Sequence, residues 1–563
     1  MRREASVVNK KVCSFPILFA LLALVIGTCV VVFPASAQAA PTSTGSITVS
    51  GTVASSYDAY QIFSANVVDG DSDAKIATDL AWASDAVRDA ALPVLHSAGV
   101  PNSQTTAQEA AEWLNTDSHL TSALSAQLAR SLQSSGAVPV ALNAGTAAEL
   151  PCGYWLIVAD DDAIAQNEAG TAPIMALVGG SAVTVKPKAA TPKVAKHVLE
   201  DGTAAWQKAA DATVADDLYW RLSATVPAGL TAYDTYTVRF VDTMSAGLDP
   251  SKVAASMRVY VAAGADGGFD AVSAGKDGRA GTEPAKGWTD ITAQCATKVA
   301  ADGKTFTVRT GDLIAALSGT DAFTAGARVV AVYNAPLNSA CNHGIAKGNP
   351  NEVYLRYPRS PFADQSGDAG FTRTPSDDAC AYTWDLALTK RGSDGDKPLA
   401  GAVLSIADDR GRTLAADGTW DAEGKATVTT GEDGRVTVSG VDSGRLEVRE
   451  LKAPKGYTAF EGTRSVTVKA EGLDVDQVAA AKPKLTITAE SPLRADSADG
   501  STGSLEASLI NTPTGTPPSI TTGGFMPSTG DMAMYAAAAA AVAGAALIMV
   551  ALLVKRGGGS HKE

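Results

Sequence analysis

Short runs of alternating apolar and polar residues, separated by Gly-, Asp- and Ser-rich turns, fill most of this chain and predict strands. Gly45–Val53 opens the series as Gly-Ser-Ile-Thr-Val-Ser-Gly-Thr-Val. The period then changes. Ala107–Leu114 and Leu120–Leu132 carry apolar residues at three- and four-residue steps among strong helix formers, which predicts helices. Alternation returns at Tyr154–Ala159, Pro173–Val178 and Ser181–Lys186, so residues 46–185 read as an α+β N-terminal domain. Lys186–Lys193 holds two prolines and three lysines and reads as a linker. Residues 194–360 follow, with strands predicted at Leu218–Val226, Tyr236–Asp242, Met257–Ala262, Thr305–Arg309, Ala327–Tyr333 and Glu352–Tyr357. Residues 382–512 add Trp384–Leu388, Ala402–Ile406, Lys425–Thr430, Arg435–Ser439, Leu446–Glu450, Thr463–Ala470 and Leu505–Ile510. Many short strands with regular turn signals predict tandem immunoglobulin-like β-sandwich domains, and the chain as a whole is mainly β. Pro361–Ala379 reads as a polar, irregular connection, and residues 513–525 as a Pro/Thr/Gly spacer.

Two long apolar runs break this pattern, one at each end. Lys10 and Lys11 precede Phe15–Phe33, and Ala37-Gln38-Ala39 follows as a small-residue cleavage site, so residues 1–39 read as a secretory signal peptide. Met534–Val554 is long enough to cross a bilayer as a transmembrane helix. Lys555 and Arg556 open the tail 555–563 and hold it on the cytoplasmic side. The bulk of the protein is therefore expected outside the cell.

Charge and cysteines narrow the chemistry. A formal net charge of −14 argues against nucleic acid as a partner, because phosphate binding needs a basic surface. Five scattered histidines with no matching Ser or Cys motif give little support to an enzyme, and no cofactor is called for. Cys13 and Cys29 leave with the signal peptide; Cys152, Cys295, Cys341 and Cys380 remain, at spacings that fit no metal motif. An extracellular setting permits disulfides among them, with Cys341–Cys380 the favoured pair and buried free thiols the alternative.

The residues just before the apolar C-terminal run carry a resemblance. Met526-Pro527-Ser528-Thr529-Gly530 resembles the sortase signal Leu-Pro-x-Thr-Gly of Gram-positive surface proteins, with Met526 in the Leu place. The resemblance implies cleavage between Thr529 and Gly530 by a sortase cysteine. Ala182-Val-Thr-Val-Lys-Pro-Lys188 resembles the pilin motif Val-x-Val-Tyr-Pro-Lys, whose lysine attacks the acyl-enzyme formed on another subunit. That role falls on Lys188, with Lys186 or Lys193 as substitutes.

Three side chains at a time suggest a second chemistry, an amide formed between a lysine amine and an asparagine carboxamide with loss of ammonia. It needs a neutral lysine, which apolar burial supplies, and a protonated carboxyl beside the carboxamide to shuttle protons. Leu446-Glu-Val-Arg-Glu-Leu-Lys-Ala-Pro-Lys-Gly-Tyr457 resembles the pilin E-box and puts Glu450 in the acid's place. Lys390 and the closing Leu509-Ile-Asn-Thr-Pro513, with Asn511, complete a Cna-B-type set. Phe240-Val-Asp-Thr-Met-Ser-Ala-Gly-Leu248 and Asn351-Glu-Val-Tyr-Leu-Arg-Tyr357 resemble the fimbrial D2-type middle domain, which implies Lys196, Asp242 as shuttle, and Asn351, with Asn349 as second choice. In the N-terminal domain Lys75 is the only lysine ahead of the linker, in a polar context, and no such bond is expected.

Together these resemblances are those of a sortase-assembled major (backbone) pilin of the SpaA type. They imply a cell-wall-anchored pilus subunit joined through Thr529 to Lys188 of the next. They also imply a pilus-specific (class C) sortase, a housekeeping sortase, peptidoglycan, identical subunits and tip and basal minor pilins as partners, and a role in adhesion. The rival is a singly wall-anchored adhesin or minor pilin that binds a host or bacterial ligand.

Overall fold

The computed structural model describes residues 43–71, 74–116, 118–187, 191–264, 286–320 and 326–515. The expected signal peptide, Lys188, the sorting motif Met526–Gly530, the transmembrane helix and the cytoplasmic tail lie outside the described residues, as does the spacer beyond Gly515.

The chain folds into three successive β-rich units. In the first, the long strand Ser56–Asp69 is central to an antiparallel sheet, flanked by Lys75–Trp82 and Gly153–Ala159, with Ile174–Val178 outside the latter. A smaller sheet pairs Thr44–Val49 with Ala147–Pro151 and, in parallel, with Val183–Val185. Both predicted helices form, at Ala107–Leu114 and Ser122–Ser134. A further helix, Asp85–Ala98, went unpredicted: Pro93 inside it masks the pattern, yet Ser84 caps its start and Leu95 and Ala91 bury its inner face.

The second unit is a sandwich of two sheets. One runs Ala205–Gln207, Lys193–Glu200, Tyr219–Val226, Ala327–Asn334, Arg258–Ala263, Thr289–Asp290. The other runs Ala209–Asp211, Asp377–Tyr382, Asn349–Pro358, Arg239–Met244, Thr305–Arg309, Ala296–Val299. The polar stretch read as a connection differs from expectation. Phe371–Arg373 and Asp377–Tyr382 both pair with Asn349–Pro358 and complete this sheet. The second of these strands belongs to two cores at once: Ala379 and Ala381 pack into the second unit, Cys380 and Tyr382 into the third. Period-2 alternation therefore welds the two units together.

In the third unit the first strand, Trp384–Gly392, lies parallel to the last, Ser504–Pro513, with Lys390 opposite Leu509 and Gly392 opposite Asn511. Arg435–Val441 flanks the first strand, and Leu493–Asp499 flanks the last. The facing sheet is built on Val403–Ala407, Gly444–Lys452, Thr463–Glu471 and Lys484–Ala489. Gly456 explains one feature of the E-box: it sits at φ 86° in the turn where the Tyr457 N–H donates to the Pro454 carbonyl at 3.1 Å, a conformation that favours glycine.

The expected Cys341–Cys380 disulfide is corrected by the structure. All four described cysteines are free thiols, and Cys341 packs in the second core while Cys380 packs in the third.

Candidate functional sites: two buried lysine–carboxyl–asparagine sets

Lysine is rarely fully buried, yet Lys196 and Lys390 are both completely shielded from solvent. Each stands inside a sandwich, on an inward-facing position of an alternating strand, and each meets the acid expected from sequence.

In the third unit Lys390 donates to Asn511 Oδ1, its neighbour on the parallel last strand. Glu450 reaches in from the facing sheet. Its Oε1 lies 3.3 Å from Lys390 Nζ and accepts from Asn511 Nδ2 at 2.9 Å. The other oxygen, Oε2, accepts from the Phe460 N–H at 3.1 Å, which fixes the carboxyl's orientation. Leu386, Leu388, Val448 and Leu509, on the strands that carry the three side chains, belong to the apolar core of this unit. Burial lowers the Lys390 pKa to about 8, against the opposing pull of Glu450, so the neutral amine is accessible near neutral pH.

The second unit distributes the same parts differently. Lys196 comes from one sheet; Asp242 and Asn351 come from adjacent strands of the other, where Met244 pairs with Asn351 and Asp242 with Val353. Lys196 Nζ donates to Asp242 Oδ2 and, at 2.9 Å, to the Tyr333 hydroxyl. Trp220 and Tyr333 hold the amine between ring faces at 5.5 and 5.4 Å. Burial moves the two ends of the pair toward each other: the Lys196 pKa falls to about 8, and the Asp242 pKa rises. A proton passed from one to the other removes both buried charges, so the neutral pair is favoured by the same desolvation that shifts each group.

Asn349 is set aside by its contacts. Its Oδ1 accepts from the Asn342 N–H at 2.8 Å, and its Nδ2 donates to the Asn342 and Ala381 carbonyls at 2.9 and 3.2 Å. It braces a loop, and a Cβ at Gly247 would lie 2.2 Å from its Oδ1. Asn351 instead keeps a buried Oδ1 without a hydrogen-bond partner among the described residues, as does the Oδ1 of Asp242.

Three features escaped sequence reasoning. Tyr333 is one. Lys208 is another: it pairs with Asp377 and donates to the Lys196 carbonyl at 2.8 Å, while Asp377 accepts from the Lys196 N–H at 2.6 Å, so the two clamp the backbone of Lys196. The third is the acidic junction between the second and third units. There Asp211 accepts from Trp384 Nε1 and the Ser443 hydroxyl, both at 2.6 Å, and burial pushes the Glu200 pKa up to about 8. No local motif announces any of these, because their partners lie far away in sequence. In the first unit Lys75 meets Asp69 and the Gly179 and Ser181 carbonyls.

Residues 385–482, which hold Lys390 and Glu450, match the family described as SpaA, prealbumin-like fold domain. The matched segment lies within the third unit, called the SpaA domain below after that match. The proteins this chain is similar to include major backbone pilins of Gram-positive bacteria. It is 29% identical over 143 residues to the "Trypsin-resistant surface T6 protein" of Streptococcus pyogenes serotype M6, a match that covers 24% of each chain. It thus spans about a quarter of the length of that curated relative. Among solved structures, the T6 backbone pilin of serotype M6 Streptococcus pyogenes is 17% identical, with a TM-score of 0.45, over 84% of this chain and 98% of that one. The full-length major pilin SpaD from Corynebacterium diphtheriae is 14% identical, with a TM-score of 0.40, over the same shares. Within the SpaA domain the family match ends at residue 482, so Asn511 lies beyond it and is joined to Lys390 by the fold alone.

Proposed function

We propose that this chain is the major structural subunit of a covalently polymerised, cell-wall-anchored pilus. Sortase joins Thr529 of one subunit to Lys188 of the next, and intramolecular Lys390–Asn511 and Lys196–Asn351 amides stiffen each subunit. The observation that carries the reading is the buried Lys390–Glu450–Asn511 set, which spans the first and last strands of the SpaA domain. An amide there loads the strands that enter and leave the domain, as a shaft under tension requires. In this reading Glu450 and Asp242 shuttle the protons. A pilus-specific sortase builds the shaft, a housekeeping sortase attaches it to peptidoglycan, and the shaft presents minor pilins for adhesion.

Lys188 is favoured over its neighbours by its place in the pilin-like segment Ala182–Lys188. Lys193 begins a sheet strand, with its N–H donating to Thr225 Oγ1 at 2.9 Å, while Lys186 is exposed directly after Val183–Val185. The test is an immunoblot of wall extracts boiled in detergent, comparing the wild type with Lys188→Ala. The expected result is a high-mass ladder that collapses to monomer in the variant. A ladder that persists moves the nucleophile to Lys186 or Lys193. A single band in both leaves a singly anchored adhesin and refutes the polymer.

A further inference from the structure

The two lysine–asparagine sets differ in how the acid reaches the nitrogen that must leave. In the SpaA domain Glu450 Oε1 accepts directly from Asn511 Nδ2 at 2.9 Å. In the second domain Asp242, a methylene shorter, makes no hydrogen bond to Asn351 Nδ2. That nitrogen donates instead to the Tyr333 hydroxyl at 2.8 Å. The same hydroxyl donates to Asp242 Oδ2 at 2.9 Å and accepts from Lys196 Nζ at 2.9 Å. One oxygen thus touches the attacking amine, the shuttle acid and the leaving amide nitrogen.

We propose that Tyr333 is a catalytic residue of the second domain's crosslink, passing a proton from Asp242 to the departing ammonia. This rests on the Lys196–Asn351 reading above. Lys196 first gives a proton to Asp242 and becomes a neutral amine. Its nitrogen attacks Asn351 Cγ, forming the new C–N bond. The tetrahedral adduct must then lose a proton from the Lys196 nitrogen and gain one on Asn351 Nδ2 before the old C–N bond breaks. Tyr333 gives its hydroxyl proton to Nδ2 and takes one from Asp242 Oδ2. Asp242 recovers a proton from the Lys196 nitrogen it touches. The products are one amide and one ammonia, with Tyr333 restored and Asp242 still protonated.

The surroundings suit a relay. Tyr333 is fully buried, and Phe306 meets its ring edge-on at 4.8 Å, which holds the hydroxyl in place. Phe306 also stands opposite Asp242 in the strand register. Burial raises the Tyr333 pKa well above its ordinary value, which keeps the hydroxyl protonated between transfers.

The test follows the full chain by pulse–chase and mass spectrometry, reading ammonia loss in the linked tryptic peptides of each domain. Tyr333→Phe keeps the ring and removes the relay. The expected result is that Lys196–Asn351 bonding slows by about a hundredfold or more, while Lys390–Asn511 bonding proceeds at its usual rate and reports that the chain folds. Adding Asp242→Glu to Tyr333→Phe supplies a longer acid, as in the SpaA domain, and is expected to restore bonding. Leu313→Ala, which loosens the same core and spares the hydroxyl, is expected to keep the bond. Unchanged bonding in Tyr333→Phe overturns the relay, as does equal loss in Leu313→Ala. A wild-type chain that loses ammonia only in the SpaA domain refutes the Lys196–Asn351 reading itself.

Discussion

In the SpaA domain Lys390 and Asn511 are neighbours within one sheet, and Glu450 arrives from the sheet opposite. In the domain before it the lysine belongs to one sheet, and the acid and asparagine both belong to the other. An amide in the first arrangement ties two parallel strands against shear. In the second it bolts the two sheets face to face. Both arrangements bury a lysine amine beside a carboxyl group, and in both burial lowers the lysine pKa to about 8. They differ in reach: Glu450 accepts directly from the Asn511 amide nitrogen, whereas the Asn351 nitrogen donates to the Tyr333 hydroxyl. The same three residue types are therefore brought together by either sheet geometry, with an acidic or hydroxyl group touching each nitrogen.

The sharpest way to break the comparison is to remove each bond in turn. Lys390→Met keeps most of the apolar stem and deletes the amine. Its bond would close a loop with a sequence separation of 121 residues. By analogy with disulfide loops, losing it removes about 5 kcal/mol of chain-entropy stabilisation. The expected outcome in calorimetry is a melting temperature lower by roughly 10–20 °C. Lys196→Met should lower it by a similar amount, because its loop is of similar length. A drop confined to one variant would show that only one domain is crosslinked.

Next in size is removal of the acid. Glu450→Gln keeps an acceptor for the Phe460 N–H but cannot shuttle a proton, so Lys390–Asn511 bonding should slow by at least about a hundredfold in the mass assay. Asp242→Asn should do the same to Lys196–Asn351 alone. Cross-effects between the two would contradict their independence.

A smaller effect concerns the junction between the domains. Glu200 titrates near 8 when folded and near its ordinary, lower value when unfolded, because burial disfavours its charge. The folded state therefore holds more protons across that window. Stability is greatest below it and falls as pH rises toward about 8. Melting curves should shift downward from pH 5 to pH 9, and Glu200→Gln should flatten the slope. A slope unchanged by that substitution would assign the effect to other groups.

The smallest effect is expected from reductant. With Cys341 and Cys380 in separate cores, melting should be the same with and without a thiol reagent, and unfolded protein should take up alkylating reagent at all four described cysteines. A melting shift on reduction would restore the disulfide.

Much of this protein was legible from sequence because its signals are local. Alternation located the strands that build the sites, and helical spacing located Ala107–Leu114 at its observed bounds. The E-box drew attention to Glu450 because its turn glycine and strand pattern lie within twelve residues. Local pattern failed where a strand is polar and shared. Asp377–Tyr382 gives each of two cores only two of its six residues, so no single apolar face appears in its sequence.

What the sequence settled by itself was the order of reactive residue types along the chain and the strands that carry them. Tertiary structure decided which of them meet. Asn349 and Asn351 are two residues apart on one strand, so alternation places both on the same inward face and cannot choose between them. Register chooses: Asn349 lies opposite Ala381, while Asn351 lies opposite Met244, on the strand that carries Asp242. Tyr333 joins them from the other sheet, 91 residues away from Asp242 along the chain. Pairing register and sheet stacking are long-range properties, fixed only when the whole hydrophobic interior closes.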